Sequence, residues 1–422
     1  DHYRNRVNSW FNGNFENDSC PKEQASYLMA GAMIRYISAS IVVPVSGPFL
    51  RNGVLAVDEV GTITGVYEQG SHALNNTDIE FYEGVLIPGF VNAHCHIELS
   101  HMLNQTKKGL GLPKFLMEVM TQRDIDKDLI LAKIEEQDKM MFSNGIQAVG
   151  DHVNTEYSAS VKENSKIIYH TFVEIMGVNK DDAQKRIDRG RDVEYYFQPE
   201  NTSITLHAPY SCSKSLFKAF KKVVSETNTL SIHNQESDEE NKLFRYKQGG
   251  FLDFYKHMGM DFADFKAQAR NSLQSYLPYL PVNNKLILVH NTFTSLKDLD
   301  FVDRMGREVY FCICPKANLY IENQLPKILN FIPDQNKMLV GTDSLASNDK
   351  LDILDELKVI SKACPQLDFL QLLKWATING AEALGLDSKI GTLEVDKRPG
   401  LILLKNMDSL RLTDEVTLER IV

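Results

Sequence analysis

The feature that most constrains this chain is an apolar run that ends in two histidines one residue apart. The run, Pro88-Gly-Phe-Val-Asn-Ala-His-Cys-His96, continues an apolar segment that begins at Val85. Near-continuous apolar character is typical of a strand covered on both faces, so we predict one buried strand over residues 85–91. In extended backbone, residues i and i+2 point to the same side. His94 and His96 can therefore direct two imidazoles to one point past the strand, as a metal site requires.

Four later apolar runs also end in a side chain that can bind a metal or move a proton. They are residues 202–207, 230–233, 286–290 and 338–343, which end in His207, His233, His290 and Asp343. Five of the eleven histidines therefore lie at the carboxyl ends of predicted strands. A single histidine of this kind is usually an ordinary core or surface residue. The joint pattern predicts a metal site instead, at one edge of a parallel sheet.

The pattern of predicted secondary structure changes near residue 84. Residues 33–83 hold short β-rich runs separated by Pro, Gly and Asp, which is typical of a small antiparallel sheet. Beyond them, apolar strands alternate with amphipathic segments that we predict to be helices at residues 129–144 and 351–363, and this alternation indicates a parallel βαβ barrel. Residues 388–422 return to β texture and are predicted to rejoin the first sheet. Active sites of such barrels lie at the carboxyl ends of the strands, where the histidines fall.

These motifs as a set resemble those of the amidohydrolase superfamily, in the branch that holds the triazine hydrolases, guanine deaminase and the nucleoside deaminases. The matching motifs are His94-Cys-His96, His233 with Glu236, His290, Asp343 within Gly341-Thr-Asp-Ser-Leu-Ala-Ser-Asn348, and the segments 207–211, 314–318 and 376–385. The resemblance implies a distorted (β/α)8 TIM-like barrel, here residues 84–387. It also implies a small β-sandwich domain formed by both chain ends, residues 33–83 and 388–422. Residues 1–32 would then be an N-terminal extension.

The resemblance further implies one divalent metal held by His94, His96, His233 and Asp343. Such a nitrogen-rich site suits Zn²⁺, with Fe²⁺ as the alternative. Relatives with two metals usually bridge them with a modified lysine at the end of barrel strand four, and the run ending in His207 has none there. A bound metal lowers the pKa of its water toward about 7. The expected reaction is attack of metal-bound hydroxide on a ring carbon that carries an amine.

Glu236, His290 and Asp343 are the predicted catalytic residues. In the related deaminases the carboxylate at the position of Glu236 protonates the ring nitrogen beside the attacked carbon. By the same resemblance Asp343 takes the proton from the metal-bound water, and His290 polarises that water or the leaving group. Cytidine-deaminase-type proteins reach the same outcome with a Pro-Cys-x-x-Cys zinc signature, which this chain lacks.

Three residues are predicted to contact the substrate: Glu98, His207 and Ser347. His207 and Ser347 match substrate-contacting positions of the nucleoside deaminases. Glu98 shares a loop with two predicted ligands, and it would either hydrogen-bond a ribose diol or act as a structural cap. Other polar residues nearby match no motif: His101, His152 and His170 are assigned to structure, and Asp151 and Asn154 stay open as pocket residues.

The motif His94-x-His-x-Glu-Leu-Ser100 is similar to that of the aminodeoxyfutalosine deaminases, although Leu99 replaces the usual Phe. We therefore predict a hydrolytic deaminase that acts on an aminated purine nucleoside-like substrate, with 6-amino-6-deoxyfutalosine as the first candidate. Deamination of S-adenosylhomocysteine, methylthioadenosine or guanine, a triazine-type chloro- or amino-hydrolase, and a ring amidase are the alternatives. A non-enzymatic binding subunit is disfavoured, because every predicted ligand and the acid are present.

Composition sets the remaining expectations. Apolar content of 43% and charged content of 24% are typical of a globular enzyme. The net charge of −10 argues against nucleic acid or an anionic membrane as a partner. No apolar run approaches the roughly 20 residues that span a bilayer, and the first residues lack the apolar core of a secretory signal. We therefore expect a cytoplasmic protein with a small-molecule substrate, and a homodimer is left open.

Overall fold

Strands and helices alternate along residues 33–422, the part of the chain that the computed structural model describes; the predicted extension, residues 1–32, lies outside the described residues. The strands are β1 (Arg35–Val42), β2 (Leu50–Arg51), β3 (Val54–Val57), β4 (Ile63–Tyr67), β5 (Ile79–Pro88), β6 (Phe90–Cys95), β7 (Ile146–Val153), β8 (Ile168–Ile175), β9 (Thr202–Leu206), β10 (Leu230–Asn234), β11 (Leu286–His290), β12 (Val309–Ile313), β13 (Met338–Val340), β14 (Leu401–Lys405) and β15 (Thr417–Arg420). The α-helices are α1 (Leu112–Gln122), α2 (Lys127–Ser143), α3 (Ala159–Asn164), α4 (Ala183–Glu194), α5 (Lys214–Val223), α6 (Asp238–Tyr246), α7 (Gly250–His257), α8 (Ser272–Tyr276), α9 (Leu296–Met305), α10 (Pro315–Glu322), α11 (Ile353–Ala363), α12 (Phe369–Trp375) and α13 (Ile378–Leu384).

The strands from the two ends of the described chain share one sheet. Its order is β15-β14-β5-β1-β3-β4, with β2 paired to β1. The carboxyl-terminal strand β14 pairs antiparallel with β5, so the late β segment returns to the amino-terminal strands. Apolar side chains of this sheet, Ile37, Leu55, Leu86 and Leu403 among them, form a buried cluster.

The apolar run before the two histidines is two strands, and the prediction of one strand was wrong. β5 ends at Pro88 in the terminal sheet, whereas β6 begins at Phe90 and pairs with β7. Gly89 separates them, and a Cβ there would lie 2.6 Å from the backbone oxygen of Pro399. Glycine therefore allows the chain to pass between the two sheets. A continuous apolar run does not reveal the change, because both strands are buried.

Eight parallel strands build the frame of the site. They form two sheets, β6-β7-β8-β9 and β10-β11-β12-β13. Backbone hydrogen bonds join the sheets at both seams: His233 N–H donates to the His207 oxygen at 3.0 Å, and Asp343 N–H donates to the His94 oxygen at 3.1 Å. The predicted distorted TIM-like barrel is confirmed, and both seams lie at the carboxyl ends of strands, beside the histidines.

The two predicted helices are also confirmed. α2 starts after Asp126, whose side chain accepts hydrogen bonds from two backbone N–H groups of the first turn, and Asp352 caps α11 in the same way. Among the described helices, none is both long and apolar enough to cross a membrane.

Candidate active site and metal centre

Three imidazoles from two strand ends converge. His94 lies in β6, His96 follows that strand directly, and His233 lies in β10. The Nε2 atoms of His96 and His233 are 3.1 Å apart, and the His94 ring centre lies 4.8 Å from that of His96 and 4.9 Å from that of His233. The alternation of side chains along a strand therefore directs the first two rings to one point, as predicted.

Asp343 completes this cluster from the other side of the barrel seam. Its Oδ1 lies 3.5 Å from His94 Nε2 and 3.6 Å from His96 Nε2. The residue has φ of +58°, a left-handed conformation that is uncommon for non-glycine residues, although aspartate adopts it more readily than most. Here the N–H bond to His94 at the seam and the hydroxyl of Ser347, which donates to Asp343 Oδ2 at 2.5 Å, hold it in place.

The donor set fits a divalent metal. Both ring nitrogens of His94 are buried and lack a hydrogen-bond partner among the described residues, and a buried polar atom left unpaired is destabilising. Burial lowers the pKa of His94 well below its usual value, so the ring is neutral, which is the form that binds metal. Three imidazole nitrogens and one carboxylate oxygen are ligands that suit Zn²⁺ or Fe²⁺.

Two buried carboxyl groups of the site differ in protonation. Burial, reinforced by the charge of Asp343, raises the pKa of Glu236 well above its usual value. Burial also opposes ionisation of Asp343, but the imidazoles of His290 and His96 outweigh it and lower the pKa of that carboxyl group. Glu236 Oε1 lies 3.6 Å from His290 Nε2. The pair thus consists of a proton donor and a proton acceptor, a separation typical of acid–base sites.

His207 is the predicted substrate contact that reaches the cavity. Its Nδ1 lies 2.8 Å from the hydroxyl of Ser211, which orients the ring. Burial lowers its pKa to about 3, although the charge of Glu174 opposes that shift. A neutral ring is therefore presented to the cavity.

The other two predicted substrate contacts have different partners. Glu98 accepts hydrogen bonds from the N–H of Asn154 at 2.9 Å and from the hydroxyl of Thr155 at 2.6 Å, which is the structural-cap role. Ser347 is fully buried and its hydroxyl is bonded to Asp343. Among the described residues, those lining the cavity include neither Glu98 nor Ser347. Glu98 thus turns toward the loop after β7 and Ser347 toward Asp343 in its own loop, so the predicted substrate contacts of these two residues stay predictions.

His152 and Glu174 belong to the site, although the sequence interpretation assigned His152 to structure and passed over Glu174. The ring centre of His152 lies 4.5 Å from that of His94, and its Nδ1 lies 2.9 Å from Glu174 Oε1. Glu174 Oε2 accepts from Asn154 Nδ2 at 2.9 Å. Both residues are penultimate in their strands, β7 and β8. The strand-end rule applied to every apolar run would have found them.

A cavity of about 470 Å³ opens above this cluster, a size ordinary for a small-molecule site. Its floor holds His96, His207, His233, Glu236, His290 and Asp343, and Asn154 also lines it. Asp151 instead forms a buried ion pair with Lys162, at 2.6 Å. The predicted acid–base residues and three of the four predicted metal ligands therefore line one cavity, and the fourth ligand, His94, is fully buried beside them.

Comparison with known proteins agrees with this geometry. Residues 85–420 match the model of the amidohydrolase family. Adenosine deaminase of Helicobacter pylori is 26% identical over 355 residues, which cover 82% of this chain and 85% of that protein. The 5-methylthioadenosine/S-adenosylhomocysteine deaminase of Pyrococcus abyssi is 25% identical over 336 residues, 74% of this chain and 72% of that protein. The crystal structure of Helicobacter pylori aminofutalosine deaminase in complex with methylthio-coformycin has the same fold, with a TM-score of 0.74 and 22% identity over 92% of this chain and 100% of that one.

Proposed function

This chain belongs to the amidohydrolase family, and we propose that it is a metal-dependent deaminase that hydrolyses the amine from the purine ring of a nucleoside-like substrate. The observation that carries the proposal is the placement of Glu236, His290 and Asp343 around one cavity, next to three neutral imidazoles. Deamination requires an acid that protonates the ring nitrogen, and a carboxylic acid that keeps its proton can do so. Simple amide hydrolysis does not require such an acid. The relatives named as deaminases support the same reaction.

In this proposal His94, His96, His233 and Asp343 hold the metal, which we take to be Zn²⁺, with Fe²⁺ as the alternative. When bound there, the metal supplies a water whose pKa is lowered toward about 7, a nucleophile at neutral pH. The three imidazoles bring no charge to the site, because burial lowers the pKa values of His94, His96 and His233. Only Asp343 among the four ligands brings a negative charge.

In this proposal the proton steps fall to Glu236 and Asp343. Glu236 donates its proton to the ring nitrogen beside the attacked carbon, and Asp343 accepts the proton that the water loses. The proton on Asp343 is then delivered to the amine, which leaves as ammonia, while the hydroxyl added to the ring carbon returns its proton to Glu236 and becomes the carbonyl. The imidazole of His290 is held beside this acid: its Nε2 lies 3.6 Å from Glu236 Oε1, and its Nδ1 lies 3.4 Å from Asn318 Nδ2. The sum of the steps is water plus amine giving carbonyl plus ammonia.

The substrate that we propose first is 6-amino-6-deoxyfutalosine. The full coverage of the Helicobacter pylori aminofutalosine deaminase structure and the Glu98-Leu-Ser100 motif support it. Methylthioadenosine and S-adenosylhomocysteine form the second candidate class, on the strength of the Pyrococcus abyssi relative. These candidates share an adenine base and differ in the group attached at the 5′ carbon.

Ammonia release from a panel of substrates tests the proposal. The metal-loaded full chain would be assayed with 6-amino-6-deoxyfutalosine, methylthioadenosine, S-adenosylhomocysteine, adenosine, guanine and a chlorinated triazine. We expect turnover of at least one adenine nucleoside, and Glu226→Gln, which changes an exposed carboxylate outside the cavity, should match the wild type. Turnover of guanine or the triazine alone would contradict the proposal.

A further inference from the structure

One wall of the cavity is a single stripe along helix α1. The stripe consists of Leu112, Phe115, Leu116, Val119, Met120 and Arg123, all of which line the cavity. These positions recur at intervals of three and four residues, so they share one helix face. Leu112, Phe115 and Val119 are largely buried in a cluster with Phe251 and Phe254, whereas Leu116 and Met120 are half-buried. The face thus packs on a core and also borders the cavity, and its last member, directly after the helix ends, is a cation.

Arg123 has donors left for a ligand. Its Nη1 donates to Asn154 Oδ1 at 3.2 Å, and a guanidinium group carries five N–H donors in all. Within residues 33–422, no carboxylate oxygen lies within 4.0 Å of this guanidinium, whereas Arg186, the other cavity arginine, lies 4.0 Å from Asp182. An uncompensated cation at the end of an apolar wall fits a ligand with an apolar body and an anionic end.

The position of Arg123 places that anionic end beside Asn154, Glu174 and His207. Asn154, which accepts its hydrogen bond, also donates to Glu174, and Glu174 neighbours His207. Glu236, in the loop after β10, and His290, the last residue of β11, serve the amine end of the ring in the proposed reaction. Arg123 instead adjoins the loop that follows β7. A nucleoside with its amine at Glu236 would direct its 5′ substituent away from that acid.

We propose that the stripe of α1 is the binding subsite for the 5′ arm of the substrate, and that Arg123 binds a carboxylate at the end of that arm. The inference rests on the proposed nucleoside deaminase and narrows its substrate class to nucleosides with an acidic 5′ arm. The apolar members of the stripe pack on the arm and exclude water, which strengthens the charged hydrogen bond. Neutral nucleosides then bind without this contact.

A matched pair of ligands tests the subsite: 6-amino-6-deoxyfutalosine, whose arm ends in an aryl carboxylate, and its methyl ester. Wild type should prefer the acid. Arg123→Met should weaken binding and lower kcat/KM for the acid by roughly 10- to 100-fold, the usual size of a hydrogen bond to a charged group, and change the ester by less than about threefold. Arg123→Lys should recover part of the loss. Arg189→Met, at an exposed arginine outside the cavity, should leave both ligands unchanged.

The two readouts separate the subsite from the reaction. Calorimetry measures binding of the acid and the ester, and ammonia release measures deamination. Equal losses for acid and ester in Arg123→Met, or loss of the acid preference only in Arg186→Met, would overturn the assignment of Arg123. If wild type releases ammonia with equal kcat/KM for acid and ester, the proposed subsite is contradicted and the proposed deaminase activity stands. If wild type binds the acid preferentially but releases no ammonia, the proposed deaminase activity is contradicted and the subsite stands.

Discussion

The floor and the wall of the cavity are built on different principles. The floor side chains lie at or near the ends of hydrogen-bonded strands and are mostly buried: the exposed fraction of the side chain is 5% for His233 and for Glu236 and 13% for His96. The wall is one helix face with adjoining loops, and it ends in Arg123, which is half-buried. Chemistry needs fixed distances, which a strand network supplies, whereas selection of a substrate arm needs only a surface of suitable shape and charge. The comparison predicts large effects from floor substitutions and smaller, substrate-dependent effects from the wall.

The largest expected effect is loss of the metal from the floor. His233→Ala removes one predicted ligand without a replacement donor, so the purified protein should lose most of its approximately one equivalent of Zn²⁺ or Fe²⁺, along with ammonia release. Metal analysis checks this, with His257→Ala at an exposed histidine as the control. Full metal retention in His233→Ala, or two tightly held metals in wild type, would break the proposed ligand set.

The next effect separates acid chemistry from metal binding within the floor. Glu236→Gln is nearly isosteric but has no acidic proton, so kcat should fall by roughly 10² or more while the metal stays bound. A planar substrate should still bind, because the lost contact matters mainly in the transition state. Wild-type ammonia release from the metal-loaded variant would make Glu236 a bystander and favour halide release or ring-amide hydrolysis.

A smaller effect is expected from Ser347, which supports the floor without reaching the cavity. Ser347→Ala removes the hydroxyl bonded to Asp343, a hydrogen bond to a charged group that is typically worth about 1.5–3 kcal/mol. We expect kcat to fall about tenfold or somewhat more, with KM for the nucleoside nearly unchanged. A rise in KM with unchanged kcat would restore Ser347 as a substrate contact.

The smallest effect on activity is expected at Glu98, where stability should change instead. A glutamine there places an NH₂ group against one of the N–H donors of residues 154–155, so Glu98→Gln should lower the melting temperature by a few degrees. The ratio of KM for adenosine and 2′-deoxyadenosine should not change. A selective loss for adenosine would show that Glu98 binds the ribose after all.

The pH dependence sharpens the Glu98 prediction. Burial raises the pKa of Glu98 to about 7 from its ordinary value of 4.5. The folded state therefore holds this proton more tightly than the unfolded state, and the associated stability, complete below about pH 4.5, is lost as the pH rises toward 7. Glu98→Gln cannot lose a proton, so the difference in melting temperature between wild type and variant should narrow from pH 5 to pH 8. A constant difference would contradict the raised pKa.

Much of the floor could be predicted from local sequence patterns. A buried strand gives a continuous apolar run, alternation puts His94 and His96 on one side, and parallel strands in a barrel bring their carboxyl ends together. These regularities depend only on residues that are neighbours in sequence or on the geometry of a whole sheet. The sequence was therefore enough to predict the fold and to place His233, His290 and Asp343 close together. Glu174, the penultimate residue of β8, follows the same rule that side chains near the carboxyl ends of parallel strands lie close together.

Contacts between loops were decided by the tertiary structure alone. Glu98 lies 56 residues from the N–H group of Asn154 that it binds, and no local pattern reports that separation. The division of the apolar run at Gly89 likewise depends on Pro399, at the far end of the chain. The stripe of α1 has the spacing of any amphipathic helix, and only packing determines whether such a face also borders a cavity. By itself the sequence thus determined which side chains the strand ends would gather, because backbone geometry repeats, whereas the destinations of loop side chains depended on distant residues.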